Sequence, residues 1–127
     1  METYDYIVVG GGSGGIASAN RAGMHGAKVL LIEANEVGGT CVNVGCVPKK
    51  VMWQASDIYQ TVQRYAPSYG LQVKDKTFDF KTLVKNRRDY IDFLHGAYKR
   101  GFDNNGVELL KGYAQFIDGH TVEVDGK

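Results

Sequence analysis

Apolar residues are gathered along this chain in segments whose spacing changes from one to the next. Residues 4–9 (Tyr-Asp-Tyr-Ile-Val-Val) read as a buried strand. Residues 13–26 carry Ile16, Ala17, Ala19 and Ala22 at helical spacing, with Gly26 placed to end the helix. Lys28 to Glu33 (Lys-Val-Leu-Leu-Ile-Glu) is a second apolar strand. Strand, helix and strand within about thirty residues make a βαβ unit, the beginning of a parallel sheet covered by helices. Residues 48–65 follow as a helix with Pro48 in its first turn. An irregular stretch at 66–78 holds Pro67 and Gly70. Asp79 is placed to cap a long helix to about residue 102, in which Phe80, Leu83, Val84, Ile91, Leu94, Tyr98 and Phe102 recur every three or four positions. Short strands are predicted at 107–110, 113–117 and 121–124, the last two joined through Asp118-Gly119-His120. The terminal Asp125-Gly126-Lys127 resembles the tip of a further hairpin, so the chain reads as the front piece of a longer protein. The expected fold is α/β: a Rossmann-like βαβ unit with a parallel sheet, long helices and a small C-terminal β-meander, in one incomplete domain over residues 1–127.

Composition sharpens two points. Glycine supplies 17 of 127 residues, well above the usual ~7%. The excess is concentrated at residues 10–15 and 38–45, where the backbone needs unusual torsions or close approach. The net charge of +1 gives no footprint for nucleic acid or for a polybasic membrane contact. No basic start or long apolar core marks a secretory signal or a membrane span. A cytoplasmic location is therefore expected, and structural disulfides are rare there.

Gly10-Gly11-Gly12-Ser13-Gly14-Gly15 contains G-x-G-x-x-G between a predicted strand and a predicted helix. Gly10 permits the tight turn, Gly12 lets backbone approach a pyrophosphate, and Gly15 lets the helix pack close to the strand. The helix amides and dipole face the phosphates. Glu33 closes the second strand, where a carboxylate can accept both ribose hydroxyls of an adenosine and would repel a 2′-phosphate. The site should hold FAD or NAD and reject NADPH.

The only two cysteines, Cys41 and Cys46, lie in Gly38-Gly39-Thr40-Cys41-Val42-Asn43-Val44-Gly45-Cys46-Val47-Pro48-Lys49-Lys50. A structural staple across so short a loop contributes roughly 2 kcal/mol in the chain-entropy model. A metal clip has only two thiolates, because His25, His95 and His120 are scattered without ligand spacing. No metal site is expected. A redox pair accounts for more. Cys46 just ahead of a helix start would have its thiolate stabilised. Lys49 and Lys50 oppose the dipole of that helix, so helix stability does not explain them. Stabilisation of an anion does, whether a thiolate, a phosphate or a reduced flavin.

This segment, the N-terminal glycine run and the acidic strand end together resemble the FAD-dependent pyridine nucleotide–disulfide oxidoreductases. Asn86-Arg87-Arg88-Asp89-Tyr90-Ile91 and Lys111-Gly112-Tyr113-Ala114-Gln115-Phe116 extend the resemblance over essentially the whole chain. Lys49-Lys50-Val51-Met52-Trp53 is most similar to the glutathione reductase branch. Trypanothione, thioredoxin, dihydrolipoamide and mercuric types are the alternatives within the family. The resemblance implies that electrons pass from NADPH through FAD to a Cys41–Cys46 disulfide. Cys46 would be the flavin-side sulfur, and Cys41 the interchange thiol that attacks glutathione disulfide. It implies Lys49, with Lys50 close by, as the flavin-contacting lysine. Gly39, Thr40 and Cys41 would line the flavin, Ser13 and Gly14 the pyrophosphate, Glu33 the ribose, and Gly112 to Ala114 the adenosine. Ser13, Asn20, Arg21 and Tyr98 are the implied substrate contacts. Asn20 departs from the pattern, because glutathione reductases often carry an arginine there.

The family also implies a second dinucleotide fold for NADPH, the return of the FAD domain, and a dimer domain supplying a His–Glu acid–base pair. This sequence contains none of them. The parent protein is expected to be a homodimeric enzyme, and this piece alone to be inactive. His95 and His120 read as surface or hairpin histidines rather than as the missing base. A nucleotide-binding module or thiol sensor without a catalytic cycle is the rival reading.

Overall fold

A computed structural model describes residues 1–75 and 77–126. Three strands, β1 (Tyr6–Val9), β2 (Val29–Glu33) and β3 (Val107–Lys111), form one parallel sheet in the order β1-β2-β3. The register pairs Tyr6 with Val29 on one side and Val29 with Val107 on the other. β2 is therefore central, and Val29, Leu30, Leu31 and Ile32 are all buried. That is why its sequence is a continuous apolar run rather than an alternating one.

Helix α1 (Ser13–Met24) connects β1 to β2. It lies on the face where Val8, Ile16, Ala19, Val29, Leu31, Phe102 and Val107 make the core. The long helix α4 (Phe80–Asn105) supplies Phe102 to this cluster and crosses α1 closely. A Cβ added at Gly23 would lie 2.2 Å from the Asn105 carbonyl oxygen. The Asn105 side-chain amide donates to Asn20 Oδ1 at 2.8 Å beside that crossing. Asp79 caps α4 as expected, accepting from the amides of Lys81 at 2.9 Å and Thr82 at 3.3 Å.

The other sheet face, with Ile7, Leu30, Ile32 and Leu110, looks across a cleft of about 800 Å³ to an antiparallel hairpin. The hairpin strands are β4 (Ala114–Phe116) and β5 (Val122–Val124). Its loop is closed by Asp118, which accepts from His120 N at 2.7 Å and from Thr121 Oγ1 at 3.0 Å. Asp125 and Gly126 both have positive φ, the torsions of a tight hairpin turn. Lys127, the last residue of that turn as read from sequence, lies outside the described residues.

The helices differ in places from the periodicity: α1 ends at Met24, α4 runs on to Asn105, and the cysteine segment contains a helical turn of its own, α2 (Gly39–Asn43). The next helix, α3 (Cys46–Arg64), begins two residues earlier than Pro48. Apolar spacing does not detect a five-residue helix that starts with a glycine at φ +61°. A short 3-10 turn at Ala66–Tyr69 follows α3 within the stretch read as irregular.

Candidate active site

The two glycine-rich runs are packed against each other. Gly10 turns the chain out of β1 at φ +102°. Its carbonyl then sits so close to Gly15 that a Cβ there would fall 1.9 Å from the oxygen. Gly15 is thus required by the approach of α1 to the strand, as its place in the motif predicts. From the other run, Gly38 N donates to Gly11 O at 2.8 Å. A Cβ on Gly39 would be 3.0 Å from Gly12 Cα. The close approach served by Gly39 is thus to the other glycine loop. It seats the turn carrying Thr40 and Cys41 directly on the start of α1.

The structure leaves room at this junction for a dinucleotide. Added Cβ atoms at Gly12 and Gly14 would meet nothing within 4 Å. α1 has no side-chain cap, so its first-turn amides are left for an outside acceptor such as a diphosphate. Glu33 stands at the end of β2 with Oε2 accepting from Gly11 N at 2.6 Å and Oε1 from Asn35 N at 2.8 Å. Each carboxylate oxygen keeps a further lone pair for a hydroxyl donor. Gly112 N donates to Glu33 O at 3.1 Å, which brings the Gly112–Ala114 segment to the same end of the sheet. The residues present fit a ligand such as FAD, whose pyrophosphate would meet Gly12, Ser13 and Gly14, its ribose Glu33 and its adenosine the segment Gly112 to Ala114. Among the described residues no cluster of three or more His, Cys, Asp or Glu side chains could hold a metal ion.

Cys46 is the first residue of α3, with Gly45 before it. This corrects the placement of Cys46 ahead of the helix. Its own amide belongs to the helix start, and Lys49 N donates to Gly45 O at 3.0 Å. Cys41 and Cys46 are both free thiols here, Cys41 half-buried and Cys46 exposed. The α2 turn abuts the start of α3, where a Cβ on Gly45 would lie 3.4 Å from Cys41 Cα, and the two thiols shift each other's acidity in opposite directions. Cys46 is lowered below the ordinary thiol value, first by the hydrogen bond from Cys41, then by the charge of Lys49, its own backbone amide and the charge of Lys50. Cys41 is raised, first by donating to Cys46 and then by desolvation. The two shifts run in opposite directions, so Cys46 gives up its proton more readily than Cys41. The charges of Lys49 and Lys50, both exposed, contribute to the lowering of Cys46.

One contact set here was not legible from the sequence. Asn43, between the two cysteines, donates Nδ2 to the carbonyls of Glu36 at 3.2 Å, Val37 at 3.2 Å and Gly39 at 2.9 Å. Its Oδ1 meets His95 Nε2 of α4 at 2.6 Å. His95 is consequently no surface histidine: its side chain is only 26% exposed. An asparagine inside a Cys-x4-Cys run was the available signal, but its partner lies 52 residues away. His120 is exposed in the hairpin loop.

Of the expected substrate contacts, Ser13 is exposed at the cradle and Arg21 is exposed in the last turn of α1. Asn20 is tied within the chain, donating to Ile16 O at 3.0 Å and accepting from Asn105. Its Oδ1 lies 3.9 Å from where a Cβ on Gly101 would be, one turn from Tyr98. Tyr98 is half-buried and packs on the core cluster. The α1–α4 crossing thus brings Asn20 and Tyr98 to one seam.

Comparison with known proteins accords with this geometry. The family described as pyridine nucleotide-disulphide oxidoreductase matches residues 4–127. The chain belongs to that family. A protein named glutathione reductase in Debaryomyces hansenii is 51% identical over 98% of this chain. Others of that name, in Yarrowia lipolytica and Schizosaccharomyces pombe, are 51% identical over 87% and 44% identical over 98% of it. The chain spans about a quarter of the length of these relatives, 24–27%. Membership of the pyridine nucleotide-disulphide oxidoreductases accounts for the juxtaposition of glycine cradle and cysteine pair. Among the described residues of this family member, no helix is long and apolar enough to cross a membrane.

Proposed function

We propose that residues 1–127 are the N-terminal, FAD-binding and redox-disulfide segment of a glutathione-disulfide reductase. The observation that carries this reading is the placing of Cys41 and Cys46, on a helical turn and at the start of the next helix, with that turn seated against the glycine cradle. FAD, when bound, supplies the two-electron link between NADPH and these sulfurs.

The chemistry of the chain's own residues then balances. Cys41, once its proton is taken up, attacks one sulfur of glutathione disulfide and the S–S bond breaks. One glutathione leaves as a thiolate that accepts the proton. Cys46 then attacks the Cys41 sulfur of the mixed disulfide, releasing the second glutathione and closing a Cys41–Cys46 disulfide. Two electrons leave the cysteine pair: the first glutathione carries away the Cys41 proton, and the second leaves as a thiolate that takes its proton from solvent. Lys49 and Lys50 offset the negative charge on Cys46 before it closes the ring. Ser13, Arg21 and Tyr98 stand as the groups that would orient the disulfide substrate, with Asn20, engaged by Ile16 and Asn105, beside them. The acid–base pair, the NADPH site and the homodimer interface belong to the rest of the parent protein in this reading.

Absorbance of the full-length protein tests it. Bound flavin, a long-wavelength band after two-electron reduction, and NADPH oxidation with glutathione disulfide preferred over trypanothione, thioredoxin and dihydrolipoamide are expected. A flavin-free protein whose thiols simply oxidise in air would favour a thiol sensor and overturn the proposal.

A further inference from the structure

We propose that His95 is a positioning residue for the cysteine pair, acting through Asn43 to hold Cys41 where it can hydrogen-bond Cys46. The chain of contacts is short. Asn43 spends its amide hydrogens on the carbonyls of Glu36, Val37 and Gly39. That leaves Oδ1 as an acceptor and requires His95 Nε2 to be the protonated nitrogen of the 2.6 Å bond. The carbonyls bound by Asn43 belong to the segment that leads into α2, and Gly39 is the first residue of that turn. Cys41 is in the middle of it. Asn43 fixes the turn from inside, and His95 fixes Asn43 to α4, an element that also reaches the core through Phe102.

His95 borders a cleft of about 390 Å³ whose charged lining is Glu33, Glu36, Lys99 and Lys111, with Lys111 Nζ 3.6 Å from Glu36 Oε1. On its own helix Asp92 Oδ1 is 4.0 Å from Nδ1, too long for a hydrogen bond. The charged groups around the thiols are Lys49 and Lys50 on α3. None of these replaces the Nε2 donor. If it is lost, Asn43 Oδ1 loses its protein partner, the α2 turn loosens, and Cys41 spends less time donating to Cys46.

The inference concerns the same site as the proposed reductase function and rests on its assignment of the cysteines. Its test needs neither substrate nor turnover. In the full-length protein, reduced beforehand, the pH dependence of iodoacetamide labelling at Cys46 is followed by mass spectrometry. His95→Leu should move the inflection upward, with the proton affinity of Cys46 rising roughly fivefold, the worth of one hydrogen bond. His95→Gln, whose amide nitrogen can reach the Nε2 position, should restore it. In a Cys41→Ala background His95→Leu should produce no further shift, because the path through Cys41 is already cut. If His95→Leu does not fold, His95→Asn, whose donor stops short, carries the same expectation. An unchanged inflection in the folded variant would overturn the proposal, as would a shift that persists without Cys41 or a failure of His95→Gln to restore it. Labelling of this kind succeeds or fails whether or not glutathione disulfide is the substrate.

Discussion

Gly12 and Gly15 lie in one motif, three residues apart, yet the structure gives them opposite duties, and alanine at each should separate the two. At Gly15 the new methyl would start 1.9 Å from the Gly10 carbonyl oxygen. Comfortable contact needs about 3.5 Å, so α1 must retreat by more than an ångström or β1 must turn differently. α1 is held by Ile16 and Ala19, 7% and 0% exposed. A radial gap of 0.5–1 Å already forfeits about a quarter to a half of such contacts, and overpacking adds about 1–3 kcal/mol. A loss near 3 kcal/mol is expected, a large share of a typical stability of about 5–15 kcal/mol. At Gly12 the same methyl meets nothing within 4 Å, and φ is −79°, which alanine adopts freely. Alanine is a poorer N-cap than glycine, but it restricts the unfolded chain by about 0.4–1 kcal/mol. The net change in stability should stay within about 0.5 kcal/mol. Urea unfolding of the flavin-stripped full-length protein measures the first effect without stabilisation by ligand. Flavin titration measures the second. Gly12→Ala should bind flavin at least about tenfold more weakly while unfolding at the wild-type midpoint, one order being about 1.4 kcal/mol. A Gly15→Ala protein as stable as wild type, or a Gly12→Ala protein with full flavin affinity, would refute the division of roles.

Cys41→Ala should raise the Cys46 thiol toward the ordinary range by more than Lys49→Gln does, because the hydrogen bond from Cys41 is the leading cause of its lowered value; the pH dependence of Cys46 alkylation reads both. Asp79 is held below the usual carboxyl range by its bonds to Thr82 and Lys81. Its contribution to stability is present above the ordinary aspartate value and fades as pH falls through the lowered folded one. Asp79→Asn should therefore lower the urea midpoint at neutral pH and cease to matter in strong acid. Gly23→Ala should cost about 1–3 kcal/mol, since its Cβ would fall 2.2 Å from Asn105 O where α1 crosses α4; a chemical-denaturation midpoint unchanged from wild type would contradict that crossing.

Much of the molecule could be read along the chain because the causes are local. The buried run Val29–Ile32, the glycine turn at Gly10, the Asp79 cap and the Asp118 hairpin each depend on residues within a few positions. The chemistry of the two cysteines was legible for the same reason, since Lys49 and Lys50 are close to Cys46 in sequence. What the order of residues did not show is what long-range docking creates. Gly39 is small because Gly12, 27 positions earlier, lies against it. Asn43 is bonded by His95, which arrives from α4, and bonds in turn to the carbonyls leading into the α2 turn. A five-residue helix has too few internal hydrogen bonds to stabilise itself, so its presence is decided by what packs and bonds around it. Sequence by itself determined which sulfurs stand together and beside which charges. Only the tertiary structure decided what holds their turn in place, because its bonds come from an element 52 residues away.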